Sequence, residues 1–260
     1  MTQLGRSGRF HELSNLAGKN AVITGASSGI GAATAMMLAE LGARVMVGYH
    51  RREDAARSVV AGLPGEGHGI VQLALEDIAS VEAMARKVGE VFDKVDILVN
   101  SAGFTRPVPH KDLEALDIPT FDAVLIAGVR GPYSVIRALL PLLRKSGEAT
   151  VVNVSSISGF TASGSSVAYC ASKAALDNMT MSLARALGPG IRVVGVSPGA
   201  VATDFVAGRD RAALAVEAPK TPLQKVIEAD DVAQAIVAAV TTLRRTTGAR
   251  IIVDGGRHLG

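Results

Sequence analysis

The sequence predicts an α/β fold, a doubly wound sheet of seven mainly parallel strands with helices on both faces. Three observations carry that expectation. Short runs rich in Val and Ile recur along the chain and are apolar at nearly every position, as strands covered on both faces are. Longer stretches of helical period separate them, as crossovers between parallel strands require. No low-complexity linker or charge run interrupts the alternation, so one domain is expected over residues 19–260, after a poorly structured arm at 1–18.

The first strand, "AVIT" (21–24), runs straight into "TGASSGIG" (24–31) and the helix "AATAMMLAELG". Glycines at 25, 29 and 31 allow a tight turn, close approach of backbone to a pyrophosphate and close packing of helix on strand. Amides at the helix N-terminus then face the phosphate charge. The strand before and the helix after favour a dinucleotide site over a merely tight connection.

The second strand, "RVMVG" (44–48), ends where an acidic residue would hold the ribose hydroxyls of NAD. Here "GYHRRED" offers Tyr49, His50 and Arg51 instead. A carboxylate would repel the extra phosphate of NADP, whereas Arg51 can pair with it, so NADP(H) is expected over NAD(H). The alternative is that Arg51 and Arg52 only pair with Glu53 and Asp54 on a solvated helix start.

"GIVQLAL" (69–75), "DILVN" (96–100) and "ATVVNVS" (149–155) supply strands three to five. Beyond them, "AYCASKAAL" (168–176) sets Tyr169 and Lys173 four residues apart, on one face of a helix. Alone, that pair fits an ordinary exposed helix equally well. In "AALDNMTMSLARALG" Ala, Met and Leu fall on more than one face, which predicts a helix buried on two sides. "IRVVGVS" (191–197) is strand six. The longest strand-free stretch follows, and its first half carries Gly208, Pro219 and Pro222. That composition suits either a substrate lid at about 204–228 or a solvated insertion. The helix around "DDVAQAIVAAVTTL" and the last strand, "RIIVD" (250–254), close the fold.

Composition narrows the function. The 27 Lys and Arg are scattered against 24 Asp and Glu, and aromatics are 3% with no Trp, so no nucleic-acid partner is expected. No apolar run approaches the roughly 18 residues of a membrane span, so no membrane association is expected either. The N-terminus lacks a signal-peptide core and the single Cys170 cannot form an internal disulfide, which predicts a cytoplasmic protein. Cys170 is expected to be a small packing residue. His11, His50, His68, His110 and His258 show no ligand spacing, and no metal is expected.

Four further stretches resemble the short-chain dehydrogenase/reductase family, notably its 3-oxoacyl-thioester reductases. They are "NSAG" (100–103), "NVSSISG" (153–159) with Ser156 thirteen residues before Tyr169, "YCASK" itself, and "SPGAVAT" (197–203). "TPLQKVIEADDVAQAIVAAV" and "GARIIVDGG" are similar to its C-terminal segments, so the likeness covers residues 15–260. The resemblance implies a Rossmann-like fold, a homotetramer or homodimer paired through the Tyr169 helix, and an oxidoreductase acting on a small-molecule carbonyl or alcohol. It assigns catalysis to Ser156, Tyr169 and Lys173. Cofactor contacts fall to Gly25, Ser27, Ser28, Ile30, Tyr49, His50, Arg51, Leu75, Asn100, Ala102, Gly103, Tyr169, Lys173, Pro198, Gly199, Val201 and Thr203.

The chemistry explains the pair. A carbonyl accepting hydride develops charge on oxygen, and a proton donor placed there lowers the barrier. Bringing a phenol from about 10 to about 7 needs roughly 4 kcal/mol, which a unit positive charge about 4 Å away supplies at an effective dielectric of 20. Lys173 offers that charge, and Ser156 would hydrogen-bond the substrate oxygen.

Two positions depart from the family. In "FDAVLIAGVRGPY" (121–133), Gly128 stands where an asparagine usually holds a water leading from the lysine to solvent. Glycine leaves space that could admit a water of its own, and Gly128→Asn would raise turnover if the relay limits the rate. Ala74 stands where an aspartate often meets the adenine, a loss that backbone groups of Leu75 could offset. These changes leave a second reading open, a catalytically weakened NADP-binding regulatory member.

Overall fold

A computed structural model describes residues 15–206 and 211–260. Its described residues form one seven-stranded sheet in the order β3-β2-β1-β4-β5-β6-β7. The strands are β1 (Asn20–Thr24), β2 (Arg44–Tyr49), β3 (Gly69–Gln72), β4 (Ile97–Asn100), β5 (Ala149–Val154), β6 (Ile191–Pro198) and β7 (Arg250–Val253). Every pairing is parallel, from Asn20 against Arg44 to Pro198 against Val253. This is the Rossmann-like doubly wound sheet expected, and its order reverses between β1 and β4, where open α/β sheets bind ligands.

The helices are α1 (Gly29–Glu40), α2 (Glu53–Gly62), α3 (Ile78–Val91), α4 (Ile118–Leu125), α5 (Gly131–Ser146), α6 (Ser158–Thr161), α7 (Val167–Leu187), α8 (Arg211–Glu217) and α9 (Ala229–Thr241). On one face Leu38 of α1 and Ile236 of α9 pack against Ile23, Val47 and Val194. On the other, Met84 and Val88 of α3 and Leu139 and Leu143 of α5 cover Val22, Leu98 and Val151. Strands β1, β4 and β5 are therefore buried along their length, which is why they read as continuous apolar runs. Edge strand β7 instead alternates exposed and half-buried positions.

Helix starts follow local chemistry. Asp77 caps α3 by accepting from Ala79 N, Asp117 caps α4 from Thr120 N, and a reciprocal Glu228 and Asp231 box opens α9. Strand three stops at Gln72, short of the expected residue 75. The chain makes one more ladder bond, Leu73 N to Tyr49 O, and then Ala74 N turns to Ser80 Oγ at 2.9 Å as the chain enters α3. The continuous helical run 118–146 is long and apolar enough to cross a membrane by length and composition. Its Val135, Ile136, Leu139 and Leu143 are buried in the fold, as in a core helix.

Of the arm expected at 1–18, residues 1–14 lie outside the described residues. Leu16 is buried and donates its N–H to Leu41 O, so residues just before β1 pack on the domain.

Candidate active site

The candidate groups gather at the carboxyl ends of the strands. Gly25, directly after β1, has φ +67°, and a Cβ there would sit 2.8 Å from Ala102 Cα. Only glycine suits both the conformation and the contact. Gly31 is equally confined, since its Cβ would meet Gly25 O at 2.6 Å. The turn thus presses against the loop after β4 and aims the α1 amides outward, with Ser28 at the N-cap making no side-chain cap bond. Thr24 Oγ1 accepts from both Ser101 N and Ala102 N, tying the two loops together.

Beside this turn, Asn100 donates Nδ2 to Asn153 Oδ1, while its own Oδ1 is buried without a protein partner. A buried unpartnered acceptor beside a glycine cradle fits a bound dinucleotide, which would supply donors and fill the close-approach surface. The residues present therefore suit a nicotinamide dinucleotide.

At the end of β2, Tyr49 is buried and its hydroxyl donates to Glu53 Oε2 at 2.9 Å. Burial and the Glu53 carboxylate push that phenol upward. His50 Nε2 lies 3.5 Å from Glu76 Oε1, and Arg51 is exposed at the start of the following loop. Arg52, which sequence reasoning assigned only a helix-start ion pair, donates Nη2 to Ser28 Oγ at 2.6 Å. A guanidinium thus reaches from β2 to the glycine turn. Leu75 is buried, with its side chain close against Gly131.

Ser166 caps α7 by accepting from Tyr169 N, so Tyr169 lies in the first turn and Lys173 one turn further along. Lys173 Nζ donates to Val154 O at 2.8 Å and lies 5.6 Å from the Tyr169 ring centroid. Burial lowers its pKa from 10.5 to about 8, partly offset by the Asp177 carboxylate. Asp177 in turn is held by Arg250 Nη2 at 2.7 Å. Ser156, just past β5, accepts from Ser158 N at 3.1 Å, which leaves its hydroxyl hydrogen free to donate.

A cavity of about 580 Å³ joins these groups. Ser156, Tyr169 and Lys173 line it with Ile30, Gly103, Pro198, Gly199, Val201 and Thr203. Gly25, Ser27, Ser28, Asn100 and Ala102, at the glycine turn and the loop after β4, do not line it, nor do Tyr49, His50, Arg51 and Leu75, which end or follow β2 and β3. The segment expected as a lid contributes Phe205, Glu217, Lys220 and Thr221 to the wall, and residues 207–210 of it lie outside the described residues. Sequence reasoning did not place Phe205, whose ring is 6.1 Å from that of Tyr169, nor Arg257 and His258. These come from distant parts of the chain, and no spacing rule links them to Tyr169.

Two positions have neighbours that the sequence did not show. At Gly128 a Cβ would lie 2.8 Å from both Cβ and Oγ of Ser172, so that side chain stands where an asparagine's own would begin. Gly128 sits within a π-helical turn, Ile126–Arg130, between α4 and α5. Cys170, with no histidine near it in sequence, has His110 Nε2 at 4.0 Å from its sulfur. Burial nonetheless raises the thiol, which suits packing better than nucleophilic attack. Among the described residues no three His, Cys, Asp or Glu side chains are grouped to hold a metal ion.

Against this geometry, the family model described as enoyl-(acyl carrier protein) reductase matches residues 25–258. The chain is a short-chain dehydrogenase/reductase. It is 34% identical over 245 residues, 93% of its length and 98% of the relative's, to a 3-oxoacyl-[acyl-carrier-protein] reductase of Thermotoga maritima. Among solved structures it is similar to a short-chain dehydrogenase of Burkholderia cenocepacia in complex with NADP, with TM-score 0.84 and 35% identity over 93% of this chain and 98% of that one. A 3-ketoacyl-(acyl-carrier-protein) reductase of Brucella melitensis complexed with NADH matches with TM-score 0.84 and 31% identity, over 94% of this chain and all (100%) of that one. As a short-chain dehydrogenase/reductase, the protein is an oxidoreductase of a nicotinamide cofactor.

Proposed function

We propose that the protein is an NADPH-dependent carbonyl reductase, moving a hydride between NADP(H) and a carbonyl or secondary-alcohol substrate, with ketones and 3-oxoacyl thioesters as the substrate classes. The carrying observation is the convergence of Ser156, Tyr169 and Lys173 on one cavity beside the glycine turn. NADPH bound in this cleft supplies the hydride. The free hydrogen of Ser156 Oγ donates to the substrate oxygen and orients the carbonyl. Tyr169 delivers the proton to that oxygen, so charge never accumulates there. The Lys173 ammonium, anchored on Val154 O with the Tyr169 ring centroid 5.6 Å away, favours the resulting phenolate electrostatically. Phe205 keeps apolar surface near the reacting groups.

Preference for NADP(H) is supported by the absence of a carboxylate at Tyr49, His50 and Arg51, and by Arg52 reaching Ser28. One relative's structure holds NADP and another NADH, so the preference rests on these residues. The proposal includes a cytoplasmic location, a homotetramer or homodimer through α7, and a lid role for residues near 204–228.

Steady-state oxidation of NADPH and of NADH against activated ketones and 3-oxoacyl thioesters tests this reading. Turnover favouring NADPH is expected. Tight NADPH binding with no turnover on any substrate would instead favour the weakened regulatory member.

A further inference from the structure

One group of the cavity's lining residues is charged or titratable and lies outside the reacting set. It comprises Glu217, Lys220, Arg257 and His258. Glu217 serves two cations at once, Lys220 Nζ at 2.8 Å through Oε1 and Arg257 Nη2 at 4.0 Å through Oε2. With Asp254 counted, carboxylates and cations are equal in number, but the Arg257 guanidinium at 4.0 Å from Glu217 is beyond hydrogen-bond distance, with donors to spare. Lys220, and to a lesser extent Arg257, keep that carboxylate ionised, its pKa being lowered.

His258 is held more firmly. Its Nδ1 lies 2.7 Å from Asp254 Oδ2, its backbone N–H donates to the same oxygen at 2.8 Å, and its ring meets Phe160 edge-on at 5.8 Å. Asp254 is buried and also accepts from Gly256 N. It packs against the Pro-Gly turn after β6, where a Cβ on Gly199 would lie 2.8 Å from Asp254 Cβ. With Nδ1 engaged on the carboxylate, Nε2 is the ring atom left for a ligand, and its orientation is fixed from the same turn that borders the reacting groups.

We propose that Arg257, with His258 and Lys220, forms an oxyanion subsite, so that the carbonyl substrate carries a carboxylate or phosphate away from its reacting carbon. This deepens, and for turnover rests on, the carbonyl-reductase reading. Arg257 would bind the oxyanion directly, and His258, with Nδ1–H on Asp254, would add a hydrogen bond from Nε2 in its imidazolium form, the form in which both ring nitrogens donate. Glu217 favours a cationic substituent and repels a second anion, so the subsite depends on Arg257 and Lys220 outweighing it.

The test uses the NADPH-loaded protein and two readouts. Calorimetric binding and turnover are measured for a series of keto acids, their methyl esters and a ketose phosphate, with wild type, Arg257→Gln and His258→Gln. The acids or the phosphate should bind about tenfold to a hundredfold tighter than the esters, and Arg257→Gln should erase that difference by weakening the acids far more than the esters. His258→Gln should weaken the acids to a smaller extent. Whichever oxyanion binds tighter identifies the natural group. Equal binding of acids and esters by wild type, or an equal loss of both in Arg257→Gln, would overturn the subsite. Tight, Arg257-dependent binding of the acids without NADPH oxidation would uphold the subsite and remove the reductase reading.

Discussion

Lys173 shows how far a single residue was legible. Its four-residue spacing from Tyr169 marked it in the sequence, but its burial against Val154 O and the resulting pKa of about 8 required the fold. If the ammonium is needed for ketone reduction, kcat/KM should fall above about pH 8, approaching tenfold per unit. Over the same window stability should move the other way. The folded chain binds this proton less tightly than the unfolded chain, so Lys173 makes folding more favourable between about 8 and 10.5. A pH profile that falls while the protein stays folded meets this expectation, and a flat profile to pH 10 contradicts it. Gly128 was legible only as a departure. Its replacement by Asn looked like restoration of a relay, yet Ser172 occupies the place a side chain would take. Gly128→Asn should therefore cost about 1–3 kcal/mol in denaturant unfolding, and Ser172→Gly should recover much of it. Wild-type stability in the single variant would show that the turn absorbs the side chain.

Element α7 links the site to assembly. Its inner face, with Ala168, Ser172, Lys173, Leu176 and Thr180, is buried within the subunit. Its outer face leaves Ala171, Ala174, Ala175, Asn178 and Met181 exposed, with Met181 at 44%. The mixed distribution of Ala and Met that predicted burial on two sides thus accounts for one face within the subunit, and the proposed homotetramer or homodimer would cover the other. Ala175→Arg and Met181→Asp should each reduce the sedimenting species toward monomer, and a wild type that sediments as a monomer would refute pairing through this helix. Strand boundaries were less legible than helix faces. β3 ends at Gln72 because Ala74 N bonds Ser80 Oγ, a contact no apolar pattern encodes.

At the scale of the molecule, the alternation of apolar runs and helical periods read directly as the parallel sheet, since burial on both faces leaves that pattern in the sequence. The glycine turn and the Tyr169 helix were equally legible, because each obeys a local rule of backbone or spacing. The far wall of the cavity was not. Phe205 and Lys220 were legible only as members of a possible lid segment, and Arg257 and His258 share the cavity with Tyr169 through the tertiary fold alone. The central claim is that Tyr169 delivers the proton in this cavity, and Tyr169→Phe tests it most directly. NADPH affinity should stay within a few-fold of wild type while single-turnover reduction of a ketone falls by at least a hundredfold, within the range expected for loss of a general acid. Retained turnover in the Phe variant would contradict the account and send the search for the proton donor elsewhere in the cavity.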